Sequence, residues 1–176
     1  MKNQDCAYCM EGELLAAFGY PCIELDYTKV YLFKEQSHKG RVIVASKHHV
    51  SELTDLSDEE RNGFFADVAK VAKAQHVAFN PEKVNYGAYG DSGHHLHFHL
   101  VPKYKDAFEW NAPFAMNPGK TLLSDEEYEA LAEEIRKKRI ICRDNISEED
   151  LRLRDKASIE YDESVFDNII YSNDIE

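Results

Sequence analysis

His95-Leu96-His97-Phe98-His99-Leu100-Val101 is the stretch on which the fold turns. Imidazoles alternate with bulky apolar side chains, and in an extended strand a period of two sends the two sets to opposite faces. Leu96, Phe98 and Leu100 then pack on a core, while His95, His97 and His99 stand in line about 7 Å apart on the other face. Histidine is uncommon, and strict alternation over five positions points to chemistry rather than to a His-rich strand. Two chemistries fit: a metal site and a phosphate-handling site.

The flanking sequence supplies a sheet for this strand. Residues 22–27 and 30–35 read as short strands around a turn at Asp26-Tyr27-Thr28-Lys29, and Arg41-Val42-Ile43-Val44-Ala45 as a third, entered from Gly40. Ser57-Asp58-Glu59-Glu60 is a capping box, and Phe64, Phe65, Val68, Val71 and Ala72 recur at helical spacing, which predicts a helix over 57–79 closed by Asn80-Pro81. Residues 84–89 read as a fourth strand, with Gly87, Gly90 and Gly93 punctuating the approach to the histidines; these glycines fit neither a Walker loop nor a dinucleotide fingerprint. After an irregular stretch at 106–120, a second capping box, Ser124-Asp125-Glu126-Glu127, opens a helix running to about residue 139. Strands interrupted by one long helix, then a terminal helix, give an α+β fold with a mainly antiparallel sheet.

A chain of 176 residues, 43% hydrophobic and 31% charged, suits one globular domain. It spans 1–142, followed by an acidic extension at 143–176. The extension carries 11 acids and 4 bases, a net −7 of the chain's −12. Its Ile, Leu, Val and Phe content predicts that it docks on this or a neighbouring subunit rather than standing as a domain of its own. The acidity excludes a nucleic-acid surface, which needs a basic stripe. No apolar run reaches the ~18–20 residues of a spanning helix, and Met1-Lys2-Asn3-Gln4-Asp5 has no signal-peptide core, so the expected location is cytoplasmic and away from membranes.

Cys6-Ala7-Tyr8-Cys9, in a chain without a secretion signal, reads as metal-binding or redox-active. Three strand imidazoles with water in the fourth place would make a catalytic zinc site, leaving Cys6, Cys9 and His49 idle. The alternative divides the ligands. Cys6, Cys9, one of His48 and His49, and one strand histidine form a closed structural zinc site tying the N-terminus to the sheet. The remaining strand histidines are then free for chemistry: a neutral imidazole attacks activated phosphorus, and its neighbour, protonated near neutral pH, stabilises the developing charge.

At this point the chain resembles the histidine triad family of nucleotide hydrolases and transferases. The motif His-φ-His-φ-His-φ-φ is residues 95–101, with Pro102 following. Gly40-Arg41-Val42-Ile43-Val44-Ala45-Ser46-Lys47-His48-His49-Val50 is similar to the family's glycine-led strand ending in Lys-x-His-φ. Val84-Asn85-Tyr86-Gly87 resembles its Asn-bearing strand, and Cys6-x-x-Cys9 matches its zinc-binding branch. The resemblance covers residues 6–104. It implies a five-stranded antiparallel sheet with two principal helices, paired edge to edge as a homodimer. It implies that His97 attacks the α-phosphorus to form a nucleotidyl intermediate that water resolves, and that His99 contacts the same phosphate. Asn85 and Ser92 would contact phosphate and leaving group, and structural Zn2+ would sit on Cys6, Cys9, His49 and His95; for the acid that holds the ribose no position aligns clearly, and Glu35 is the candidate.

Two positions depart from the pattern. Asp91 stands where relatives carry Gln or Asn, which puts a carboxylate beside the substrate phosphate, and Ser46 replaces a Pro. The expected activity is hydrolysis of a nucleoside phosphoramidate or dinucleoside polyphosphate. The rivals are nucleotidyl transfer through the same intermediate and a non-catalytic nucleotide-binding or interaction protein.

Overall fold

The computed structural model describes residues 3–91, 93–144 and 149. Ser92 and nearly all of the acidic extension at 143–176, with its expected docking, lie outside the described residues. Two short helices, α1 (Ala7–Met10) and α2 (Gly12–Ala16), precede strands β1 (Gly19–Glu24) and β2 (Thr28–Phe33). Then come β3 (Val42–Ser46), α3 (Asp58–Phe79), β4 (Lys83–Gly87), β5 (His97–Lys103) and α4 (Asp125–Asp144). The strands form one antiparallel sheet in the order β1-β2-β3-β5-β4, so the architecture is α+β as expected.

Local chemistry sets the boundaries of α3. Ser57 is its N-cap in a complete capping box with Glu60, three acids occupy the first turn, and Asn80 ends it in the left-handed region at φ 46°. β1 begins at Gly19, earlier than the sequence suggests, because Pro21 is tolerated on an edge strand; the register shifts between Pro21 and Ile23. β5 begins at His97, two residues later than the alternation suggests. His95 and Leu96 carry the line onward as an irregular segment, with the Leu96 N–H donating to the Val50 carbonyl at 2.7 Å and its carbonyl accepting from the Ser46 N–H at 3.0 Å.

The alternation therefore survives. Leu96, Phe98 and Leu100 face the main core, where Val30, Leu32, Val42 and Val44 meet Phe64, Val68 and Val71 of α3 and Leu131 and Ile135 of α4. On the opposite face Tyr31, Phe33, Ile43 and Ala45 pack with Leu15, Tyr8 and Phe18 of the N-terminal segment. His97 and His99 join that second face, opposite Ala45 and Ile43 respectively. The buried Gln75 of α3 clips the two layers together: its Nε2 donates to the Gly40 carbonyl at 2.7 Å and the Leu100 carbonyl at 3.2 Å.

Gly40 sits at φ +84°, and a Cβ there would strike the Phe79 ring. Gly40→Ala should therefore destabilise the fold by about 1–3 kcal/mol, through backbone strain and displacement of Phe79. Urea titration measures it, and an unchanged midpoint would show that the entry to β3 relaxes freely.

Candidate active site and metal centre

Cys6 precedes α1 and Cys9 lies within it, a spacing that turns both thiols to the same side of one short helical turn. His49 follows β3 and His95 precedes β5, so the pairing of these strands brings their flanks together. The Cys6 Sγ lies 3.3 Å from His95 Nδ1, the Cys9 Sγ 3.3 Å from His49 Nδ1, and the two Nδ1 atoms 3.3 Å from each other. All four ligand atoms fall within 4.8 Å of one another, close enough to hold one metal ion. The His95 Nε2 donates to the Ser46 carbonyl at 2.8 Å. A carbonyl can only accept, so the ring proton is on Nε2 and the Nδ1 lone pair faces the thiols, as a metal ligand requires. His48 is two-thirds exposed and sits near Glu60 instead, which separates it from its neighbour His49.

The two remaining triad histidines line a cleft of about 790 Å³ beside the four donors. Tyr8, Phe18, Phe114, Met116 and Asp91 are among its other walls. His97 Nδ1 donates to the His95 carbonyl at 2.7 Å, which leaves the lone pair on Nε2. Burial lowers the His97 pKa, so this imidazole is neutral at physiological pH. The Tyr8 ring, midway through the Cys-x-x-Cys turn, lies 5.0 Å from both His95 and His97. It is a common wall between metal donors and cleft.

His99 does not carry the positive charge expected of a neighbouring imidazole. Burial first, then the Arg41 guanidinium, push its pKa down to about 3. Arg41 carries the charge instead. It immediately precedes β3 with no exposed surface, its Nη2 lies 3.3 Å from His99 Nδ1, and burial lowers its pKa only to about 10. Neither Arg41 nor Tyr8 was assigned a role from sequence. The available signals were an arginine at the mouth of a strand that otherwise reads as core, and an aromatic between two cysteines.

Two of the expected contact residues, Glu35 and Asn85, lie away from the main cleft. Glu35 is buried away from the cleft. Its Oε1 accepts from the Ser37 N–H and hydroxyl and from the N–H groups of Lys120 and Thr121, so it pins a loop. Asn85 shares the histidine face of the sheet but pairs with Val101, and it opens into a smaller neighbouring cleft with Tyr86, Tyr89 and Phe114. Asp91 is exposed on the wall of the main cleft. Ser92 lies outside the described residues.

The HIT domain family model matches residues 22–106. Residues 22–106 are a histidine triad (HIT) domain. The chain is 29% identical over 145 residues to an adenosine 5'-monophosphoramidase of Schizosaccharomyces pombe, an alignment covering 76% of this chain and 97% of that protein. Protein hit of Bacillus subtilis is 28% identical over 108 residues, covering 57% and 72%. Among solved structures, a histidine triad protein from Sinorhizobium meliloti superposes with a TM-score of 0.67 at 21% identity, covering 72% of this chain and 94% of that one. A Zn-bound histidine triad family protein from Mycobacterium smegmatis gives 0.57 at 17% identity, covering 81% and 98%. No helix among the described residues is long and apolar enough to cross a membrane.

The depressed His99 pKa has a direct consequence for this HIT domain. The unfolded chain protonates His99 near its ordinary value of 6.5, whereas the folded protein resists until about 3. Its contribution to stability is fully present above pH 6.5 and is lost as pH falls from there towards 3. His99→Asn, which keeps an acceptor for Arg41, should lower proton uptake on unfolding by about one across that window. Denaturant midpoints followed from pH 7 downwards test this, and equal slopes in both proteins would refute it.

Proposed function

We propose that this histidine triad protein hydrolyses nucleoside phosphoramidates at the α-phosphorus, through a nucleotidyl intermediate on His97. The observation that carries the reading is the fixed tautomer of His97. With Nδ1 committed to the His95 carbonyl, the Nε2 lone pair is left for an electrophile, in a neutral ring on the cleft wall. In the first step the Nε2–phosphorus bond forms and the phosphorus–nitrogen bond to the leaving amine breaks; the departing amine takes a proton from solvent at the cleft mouth. In the second, water attacks the phosphorus, the nucleotide leaves His97, and the water's proton passes to solvent. His99, 5.3 Å from His97 between ring centroids, contacts the same phosphate. In this reading Asp91 on the cleft wall and Ser92, next to it in sequence, meet the leaving group, and Asn85, in the adjoining cleft on β4, completes the outer contacts. The cleft volume suits a mononucleotide, since small-molecule sites run to roughly 300–1,000 Å³. The relatives named adenosine 5'-monophosphoramidase favour the phosphoramidate over a dinucleoside polyphosphate.

Cys6, Cys9, His49 and His95 would hold zinc. Two thiolates and two imidazoles are the donor set of a closed structural site, and the metal supplies cross-linking between the N-terminal turn and the sheet, with no place in the reaction. Strand β4 is a sheet edge with a half-exposed Tyr86, which supports edge-to-edge pairing of two copies.

Purified protein should turn over adenosine 5'-phosphoramidate, and His97→Asn should lower kcat by roughly 10³-fold or more while nucleotide affinity changes only a few-fold. Mass spectrometry after a non-acidic quench should find the nucleotidyl adduct on His97. Near-wild-type rates in His97→Asn would end the covalent reading. Elemental analysis should find about one zinc per chain. Cys9→Ser should lose it and melt at lower temperature, because binding energy in such a site is folding energy; full zinc retention in the variant would move the metal elsewhere.

A further inference from the structure

We propose that Arg41 is a positioning residue of the triad: its guanidinium fixes the ring proton of His99 on Nε2, so that β5 offers a lone pair from His97 and an N–H from His99 to one phosphate group. This rests on the reading of the cleft as a phosphoryl-transfer site.

Arg41 is held from several sides. Its Nη1 donates to the carbonyls of Ala115 at 3.3 Å and Met116 at 2.8 Å. Its Nη2 meets the Met116 sulfur at 3.1 Å and His99 Nδ1 at 3.3 Å. The guanidinium carbon lies 4.1 Å from the centroid of the Phe33 ring and 5.1 Å from that of Phe114. With its plane immobilised, the direction of the Nη2 hydrogen is set. A guanidinium has donors and no acceptor, so His99 Nδ1 must accept, and the ring proton of neutral His99 belongs on Nε2. His97 is wired the opposite way, since its Nδ1 faces a carbonyl that can only accept. Two imidazoles on one strand face thus receive opposite tautomers from opposite partners.

The arrangement is costly as mere structure. Glu35 and Glu109 are the carboxylates whose charge acts on Arg41, yet each spends hydrogen bonds elsewhere, Glu35 on the loop at 120–121 and Glu109 on His38 and the Ala115 N–H. Neither makes an ion pair with it among the described residues, and the Arg41 Nε is buried without a partner. An arginine serving only to staple the loop would need the Nη1 contacts and no more. The contact with His99 is the part a staple does not explain. A cation behind His99 also offsets negative charge arriving on the phosphate, the task sequence reasoning gave to a protonated imidazole.

Long-range proton–nitrogen correlation spectra of the wild-type imidazoles test the wiring without reference to turnover. His99 should appear as the Nε2–H form and His97 as the Nδ1–H form; His99 as Nδ1–H or as imidazolium overturns the proposal. In Arg41→Met, which fills the volume without a donor, His99 should lose its single tautomer and kcat should fall by about 10²-fold with little change in KM. An unaltered His99 spectrum or an unaltered kcat in that variant would equally overturn it. Arg41→Lys, which restores a cationic donor, should recover the Nε2–H form, so the outcome stands even if Arg41→Met folds poorly. Wild-type protein that shows the two tautomers but turns over no phosphoramidate would sink the proposed function and leave the wiring intact.

Discussion

The pairing of β3 with β5 sets where every group in the site stands. Ala45 opposes His97 and Ile43 opposes His99, so a small and a branched side chain flank the rings that must reach the cleft. The same register puts the Ser46 carbonyl against His95, brings His49 round to meet it, and leaves Arg41, two residues before Ile43 on the same face, beside His99. A slip of one residue would exchange the faces of β5, turning Phe98 and Leu100 into the cleft and three imidazoles into the α3 core. Such a slip is strongly opposed, because Leu100, Val42 and Val44 are wholly buried against that helix. The hydrophobic effect on one face thereby fixes the chemistry on the other.

The irregular chain between β5 and α4 depends on the same strands for its anchorage. The buried Lys103, at the end of β5, donates to the carbonyls of Glu109 and Ala112. Arg41, ahead of β3, takes those of Ala115 and Met116. Glu35, just past β2, takes the N–H groups of Lys120 and Thr121. Three buried charged side chains thus bind the polar backbone of a loop that has no ladder of its own, which meets the demand that buried peptide groups find partners. The product is the wall of Phe114 and Met116 over the cleft. Glu35 thereby helps to hold this wall in place.

Periodicity made most of the fold legible. Capping boxes at Ser57 and Ser124 and alternation around His97 are local signals, and local signals survive into structure when the core agrees with them. The two cysteines were legible as half of a metal set completed by two histidines because zinc chemistry admits few donor combinations, whereas the choice of His49 and His95 came from the family resemblance. What was hidden was non-local. Helices α1 and α2 are four and five residues long, too short for a period to register. Pro21 masked the start of β1, since its tolerance depends on lying at a sheet edge, which only topology reveals. Arg41 read as a charge at a strand mouth, because nothing near it in sequence says that Phe33, Phe114 and Met116 will close around it. The position of Glu35 depends on the path of the loop at 106–120, which composition does not encode, and that of Asn85 on the pairing of β4 with β5.

The N-terminal segment shows why metal donors and triad belong to one device. A helix of four residues has no stability of its own. Among α1 and α2 only Leu15 is fully buried, and Glu11 between them holds a strained backbone at φ 57°. The bridge from Glu11 to Lys29 is partly exposed and contributes little against that deficit. Two thiols and two imidazoles crowd within 4.8 Å of one another, and burial pushes the Cys6 thiol up. In the proposed zinc-bound form that crowding becomes the main tether of the segment. Tyr8 sits between the two cysteines with its ring against His95 and His97, so the tether also decides where one wall of the cleft stands. A structural metal would in this way govern the shape presented to substrate while remaining outside every bond that is made or broken.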